Sequence, residues 1–425
     1  MLKLNLKKGI SFLFVMIIIL VCVNLPAVYA LTTSDSSLAG KYIQFGTYNN
    51  SPVIYRIIGS EDVNNDGANE LLLWSDKMIS FKPYDGKSDD IGNRGAATSF
   101  PTARLNKGSN FWPESNLRDW LNSSGETVSW TGAPPNSANV GGDAYDTEKG
   151  FMANLTFAEK NAVVPVVRKT IISQTDKDLK TGGSSGHTWT STSLSASLTN
   201  YDTTALYVNT TEKIFILSLK ELNSYAFPVY GSDTALKGTR AAGLGVDNDP
   251  DTNQDGAYWV RDAKMDGSVS AGCDARVFSS LTNDYVNSVA AFHSMGIRPA
   301  FYISSGLALT GDGTSVSPYQ IKFPPLVEGY RFQQGGIDIN SLSPGSINID
   351  ILTSNQMVEE PAVAVCLLMK TTLKGEIPVK KWVNSVSFPV GNNKIQILNL
   401  EIGSDEIDHH YLKAFVVNQL DNGKS

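Results

Sequence analysis

Cysteine is scarce in this chain: three in 425 residues, at positions 22, 273 and 366. That excludes a disulfide scaffold and a zinc site built on paired thiolates. Cys273 and Cys366 fall in segments that read as different domains, so no bridge between them is expected. Histidine is equally sparse. His187, His293, His409 and His410 show no metal-ligand spacing of the H-E-x-x-H kind, and the His409-His410 pair reads as a solvated turn. Basic residues are in deficit, with 35 Lys and Arg against 42 Asp and Glu and a formal net charge of −7. A basic face for nucleic acid is therefore not expected. The apolar run Ile10–Val23 is shorter than the ~20 residues a spanning helix requires.

That run is nonetheless informative by its position. Lys3, Lys7 and Lys8 precede it, and Val28-Tyr29-Ala30 follows with small residues fit for signal peptidase. Residues 1–30 read as a secretory signal, with an uncleaved N-terminal anchor as the alternative. Val21 before Cys22 is too bulky for a lipoprotein cleavage site. The mature chain is expected to begin near Leu31, secreted or at the cell surface, with no membrane insertion after cleavage.

What is plentiful is Gly, Ser, Thr, Asn and Tyr, the composition of a loop-rich, β-leaning protein. Tyr42–Tyr48 and Val53–Ile58 read as strands around the turn Asn49-Asn50-Ser51-Pro52. Leu71-Leu72-Leu73-Trp74 reads as a buried strand. Leu117, Trp120 and Leu121 recur at i, i+3 and i+4, a short amphipathic helix. Thr156 with Glu159, and Ser218 with Glu221, each fit a capping box and predict a helix start. Residues 180–204 are rich in Ser, Thr and Gly and read as a surface excursion. Residues 262–303 read as a β-meander with turns at Asp266-Gly267 and Asn283-Asp284. Phe323-Pro324-Pro325 interrupts the pattern. Beyond it Ile347, Ile349 and Ile351 alternate with polar residues, Val363–Met369 is continuously apolar, and Ile395–Leu400 alternates again. The expected organisation is an irregular α+β domain over 31–323 and a β-sandwich over 324–425.

Taken in order, the pieces resemble a family of secreted bacterial domains, domain of unknown function 6273. The resemblance is carried by Ile43–Tyr48 with Tyr55–Ile58, Leu72–Ser75 with Tyr84, and Asn116–Asn122. It continues through Phe157 with Glu159, Ile214–Ser218, Trp259–Asp262 with Asp266–Val269, and Gly296–Ala300. Asp262 stands where the family usually has Ser, and Ala263 where it has Pro. This pattern is similar to C-type-lectin-like domains, including the sulfatase-modifying type, and implies an α+β fold: an irregular lectin-like domain with long loops, then a small all-β sandwich. The sulfatase-modifying relatives use paired cysteines. Cys273 has no candidate partner in its domain and reads as a small buried hydrophobe. Residues 310–321 resemble a strand-turn-strand unit of secreted bacterial proteins. Tyr411–Val416 is similar to the strand closing clostridial-type C-terminal domains.

For chemistry, the densest cluster is Asp247, Asp249, Asp251, Asn253 and Asp255, followed by Gly256. Alternating oxygen side chains before a glycine suit calcium, and Asp262 falls at the twelfth position counted from Asp251. Thrombospondin-like aspartate repeats are an alternative use of Asp247, Asp249 and Asp251, and a solvated acidic loop is the bland one. Asp62, Asn64, Asp66 and Glu70 form a weaker copy that reads as a plain turn. Trp74, Trp120 and Trp259 match core positions. Trp112 and Trp130, set in Gly/Pro/Asn-rich loops, are the candidate exposed platforms for a sugar. Arg261 and Arg298, each flanked by apolar residues, read as buried charges bonded to loop carbonyls or acids. The expected function is a secreted or cell-surface binding module, with a glycan or a surface protein as partner and calcium as cofactor. A polysaccharide-active enzyme and a structural envelope protein are the competing classes.

Overall fold

The computed structural model describes residues 32–34, 36–87, 101–187, 194–195, 198–231, 236, 256–264, 274–278, 286–323, 326–339, 341–355, 360–372, 375–388, 391–406 and 410–418. Residues 1–30, expected from the sequence to be a secretory signal, lie outside them, as do the acidic run 247–255, Cys273 and the turns expected at 266–267 and 283–284.

The chain opens with β1 (Tyr42–Tyr48) and β2 (Ser51–Glu61). Tyr48 pairs with Ser51, so the loop is two residues long, and Asn49 and Asn50 both take positive φ, 47° and 61°. Asparagine tolerates that region, and the resulting turn matches the twist of the strands it joins. Next come β3 (Glu70–Ser75), buried at every position, and β4 (Ser80–Pro83). Then follow β5 (Val163–Val164), β6 (Val166–Ile171), β7 (Tyr207–Glu212), β8 (Phe215–Ile216) and β9 (Tyr258–Ala263). After them run β10 (Asp274–Phe278), β11 (Val286–Ala290), β12 (Ser294–Ile297), β13 (Pro299–Ile303), β14 (Ala308–Thr310) and β15 (Tyr319–Lys322).

These strands build two main sheets and one ribbon. The larger runs β14-β15-β1-β2-β3-β13-β5, with β8 also on β13. The second runs β11-β10-β9-β12-β4, and β6 pairs with β7. The expected meander over 262–303 holds only for β9-β10-β11. β12 returns parallel to β9, and the chain then crosses into the larger sheet as β13. The crossing is pinned by Arg298. Its guanidinium lies 3.3 Å from the centroid of the Trp74 ring and donates to the carbonyls of Ser75 (3.0 Å), Asp76 (2.9 Å) and Leu236 (3.2 Å). Gly296 just before it has no room for a side chain: a Cβ would sit 2.8 Å from the Ala257 carbonyl oxygen.

Short helices bridge the sheets. Asn116–Asn122 is capped by the Ser115 hydroxyl and buries Leu117, Trp120 and Leu121. Phe157–Ala162 and Leu219–Glu221 both start in complete capping boxes, Thr156/Glu159 and Ser218/Glu221. The fold is thus β-rich with few helices.

Residues 326–418 form a separate apolar cluster. The strands are β16 (Leu326–Gln334), β17 (Ile337–Asp338), β18 (Gly345–Asn355), β19 (Glu360–Thr372), β20 (Gly375–Phe388), β21 (Gly391–Ile402) and β22 (His410–Asn418). They make two sheets, β17-β16-β18-β21 and β20-β19-β22. Ile347, Ile349 and Ile351 of the first share one core with Ala364, Cys366 and Leu368 of the second. Period-two alternation puts each set on one face. Among the described residues, no helix is long and apolar enough to cross a membrane.

Candidate functional site

Strand β1 does not pair evenly with β2. The register slips between Gln44 and Thr47, and Gly46 sits in the bulge at φ 64°. A side chain there would be strained by that dihedral, and its Cβ would lie 2.4 Å from Leu155 Cδ2. The Gly46 N–H donates to Glu159 Oε1 at 2.8 Å. Glu159 Oε2 accepts from the Thr156 N–H (2.8 Å) and the Thr156 hydroxyl (2.9 Å). One carboxylate therefore caps a helix and closes a bulge of a strand more than a hundred residues away.

Beside this bulge opens a groove of about 270 Å³, lined by Gln44, Thr47, Asn154, Thr156, Gln320 and Phe323, with Glu159 and Gly46 at its back. Gln44 and Gln320 are partners across the parallel β1–β15 pair, so both amides project from one face. Neither side-chain amide has a hydrogen-bond partner among the described residues. Phe323 packs edge-on against Phe45 at 6.3 Å between centroids. Deeper in the core, the Tyr55 hydroxyl is buried without a hydrogen-bond partner among the described residues. Burial first, and the Glu159 charge second, push its ionisation well above the ordinary phenol range.

Chemically, the lining offers neutral amides and hydroxyls around an aromatic ring. Its one carboxylate already accepts three hydrogen bonds, so the groove presents no free acid to a bond that must be cleaved. Such a surface suits an uncharged, hydroxyl-rich ligand.

The residues singled out in the sequence have other places. Trp112 is not a platform. It is fully buried, its Nε1 donates to Glu212 Oε2 at 2.8 Å, and its ring packs on Tyr84. Trp130 is half-buried, edge-on to Tyr145 at 5.6 Å. Asp262 is not available as a twelfth-position metal ligand. It is fully buried and accepts from the backbone N–H of Ile171 (3.1 Å) and Leu219 (2.8 Å) and from the Tyr201 hydroxyl (3.1 Å). Asp247, Asp249, Asp251, Asn253 and Asp255 lie outside the described residues. Trp259 is in the core, its Nε1 donating to the Lys82 carbonyl. The loop Asp62–Glu70 is closed on itself. The Asp62 carboxylate accepts from the N–H of Asp66 and Gly67, and Glu70 accepts from the Val63 N–H.

Arg261 is the most connected charge. It donates to Thr170 Oγ1 (2.9 Å), to the carbonyls of Ile216 (2.6 Å) and Lys169 (3.1 Å), and to both Glu221 oxygens (2.9 Å each). Burial alone would raise the Glu221 carboxyl, but Arg261 and then Arg168 outweigh it and hold the carboxyl below its ordinary range. This is a structural knot joining β6, β8, β9 and the 219–221 helix.

The family model of a domain of unknown function, DUF6273, matches residues 70–305, more than half of the chain. The chain belongs to this family. The DUF6273 span holds Arg261, Arg298, Trp120 and both capping boxes. It omits β1, β2 and β15, which nevertheless complete its larger sheet and supply Gln44 and Gln320, and it omits Phe323, the residue after β15. Neither the curated proteins nor the solved structures include a match to this chain. The groove was illegible in the sequence because its walls are far apart along the chain. Gln44 and Gln320 look like ordinary outward positions of two strands. Only Gly46, a glycine inside a strand pattern, signalled a bulge.

Proposed function

We propose that this DUF6273 protein is a secreted or cell-surface binding module, built as a lectin-like domain followed by a β-sandwich, and that its ligand is a glycan held in the groove beside Gly46. The supporting observation is the pair of unpartnered amides, Gln44 and Gln320, side by side next to the Phe323 ring. A sugar hydroxyl both donates and accepts, as a carboxamide does, and an aromatic ring gives the sugar's C–H surface an apolar contact. A polysaccharide-cleaving enzyme is less well supported, because the carboxylate lining the groove is spent on Gly46 and Thr156.

A glycan array probed with the full chain should find a neutral oligosaccharide. Gln44→Ala with Gln320→Ala should weaken that binding by roughly tenfold or more, the worth of one or two hydrogen bonds, with the melting temperature unchanged. Binding that survives the double substitution would move the site elsewhere.

Calcium belongs to the same proposal, now without Asp262. Asp247, Asp249, Asp251 and Asp255 crowd within nine residues, with Asn253 among them, and a cation would relieve the mutual repulsion of the four carboxylates while Asn253 offers a neutral oxygen ligand. Extracellular calcium loops bind with dissociation constants on the order of 0.1–1 mM. A tenfold excess then stabilises the folded state by about 1.4 kcal/mol, or a few degrees in melting temperature. Asp251→Ala with Asp255→Ala should abolish that shift, whereas Asp62→Ala with Asp66→Ala should leave most of it. Equal melting temperatures in millimolar calcium and in chelator would show the loop to be merely acidic.

A further inference from the structure

The polar groups of the groove beside Gly46 divide into those already spent and those still free. Spent are Glu159 and Thr156. The Thr156 hydroxyl donates to Glu159 Oε2 at 2.9 Å and accepts from the Glu159 N–H at 3.2 Å, while the carboxylate also takes the N–H of Gly46 and of Thr156. Free are Gln44 and Gln320, whose amides can still both donate and accept.

Asn154, on the opposite wall, is half spent. It ends the turn Phe151–Asn154, and its Nδ2 donates to the carbonyls of Gly150 (3.3 Å) and Phe151 (3.1 Å). A carboxamide carries two N–H donors and one carbonyl oxygen. Both donors are therefore used, and the side chain cannot turn over without losing them. Oδ1 remains as an acceptor of fixed position, with no hydrogen-bond partner among the described residues.

Between these polar walls the lining is apolar. Phe45 and Ile321 are buried, and Phe323 is half-buried beside them. A fixed acceptor, a nearby donor and an apolar floor together match one chemical group, an acetamide. Its N–H needs an acceptor, its carbonyl needs a donor, and its methyl needs an apolar contact. A plain hydroxyl answers either amide but leaves the floor bare. An ammonium answers Asn154 but brings a charge and no methyl. The size agrees as well. A cavity of about 150 Å³ holds one benzene ring, so the groove's volume of about 270 Å³ has room for one pyranose and one such substituent.

We infer, on the basis of the glycan reading above, that the sugar in this groove is an N-acetylhexosamine. Its acetamido N–H donates to Asn154 Oδ1, its carbonyl accepts from Gln44 or Gln320, and its methyl lies on Ile321 and Phe323. Asn154 is then the residue that sets specificity, while the two glutamines supply affinity.

Ligand-detected NMR titrations of the full chain with matched sugars test this. The pairs are N-acetylglucosamine with glucose, N-acetylgalactosamine with galactose, and N-acetylmannosamine with mannose. In at least one pair the acetylated sugar should bind roughly tenfold or more tighter, the worth of one hydrogen bond and one buried methyl. Asn154→Ala should bring the acetylated sugar down to the affinity of its plain counterpart. Asn154→Asp keeps an acceptor in place and should keep the preference. A turn merely loosened by the loss of Nδ2 would lose the preference in both variants, and that result overturns the role given to Oδ1. Equal affinities in all three pairs, or a preference that survives Asn154→Ala, overturn the inference. The glycan reading outlives that failure if a neutral glycan without acetamido groups binds and the double substitution of Gln44 and Gln320 weakens it. A full chain that binds no sugar at all overturns both.

Discussion

Arg261→Ala should lower the unfolding free energy by about 3–5 kcal/mol, the cost of removing one partner from a buried ion pair. The arithmetic follows from what remains behind. Glu221 stays buried with Arg168, at 3.4 Å, as its remaining cationic partner among the described residues and the Ser218 N–H as a backbone donor. The carbonyls of Ile216 and Lys169 lose their donor, and so does the Thr170 hydroxyl oxygen. Each buried acceptor left unsatisfied carries roughly 1–3 kcal/mol of desolvation. Arg261→Met with Glu221→Leu should recover part of the loss, because the pair is removed whole and its volume is filled. The pH dependence has a definite sign. In the wild type the Glu221 carboxyl is held below its ordinary range, so its contribution is complete above the unfolded carboxyl pKa of roughly 4.3 and is lost as the pH falls through the depressed folded value. In Arg261→Ala that acid-side loss should shrink. Urea unfolding of both proteins at neutral and acidic pH measures it. A loss below about 1 kcal/mol at neutral pH would mean that water replaces the guanidinium and that the knot is not what joins the sheets.

The same residue shows how far the sequence was legible. An arginine between Val260 and Asp262, inside an apolar run, reads as a buried charge, and it is one. Its acceptors were not readable, because Thr170, Ile216 and Glu221 come from three segments brought together only by the tertiary fold. Local patterns transferred well. The Asn49-Asn50 turn, the Ser115-capped helix, both capping boxes and the alternating isoleucines of β18 all depend on neighbours within a few residues. Tryptophan exposure did not transfer. Trp112 sits among turn residues, which suggested solvent, but its indole N–H has a carboxylate waiting on β7 a hundred positions later. Asp262 misled for the same reason. Counting from Asp251 made it a calcium ligand, whereas two backbone amides and Tyr201 had already claimed it. The β12–β13 crossing was missed because alternation along each strand says nothing about which sheet the strand enters.

Trp120→Ala should be the most damaging apolar substitution tested, by about 3–5 kcal/mol. The ring is fully buried and is shared among several elements. Tyr48 of β1 lies edge-on at 5.9 Å, Phe151 at 5.4 Å and Tyr145 at 6.2 Å, while the indole N–H donates to the Lys149 carbonyl at 3.1 Å. The buried ammonium of Lys82 stands 4.6 Å from the ring centroid and pairs with Glu148, which also accepts from the Tyr48 hydroxyl. Alanine removes the ring face that helps carry this charge and leaves a cavity that Tyr48 and Tyr145, fixed by hydrogen bonds to Glu148 and to the Pro83 carbonyl respectively, fill poorly. Trp120→Phe separates the two contributions. It keeps most of the volume and an aromatic face for Lys82 but deletes the N–H, so it should cost about 1–2 kcal/mol, the price of one unsatisfied carbonyl plus a small void. Chemical denaturation of the three proteins gives the ranking directly. Equal losses for Phe and Ala would assign the stability to the Lys149 hydrogen bond. A loss for Ala below about 1 kcal/mol would mean the ring is not packed at the centre of this cluster.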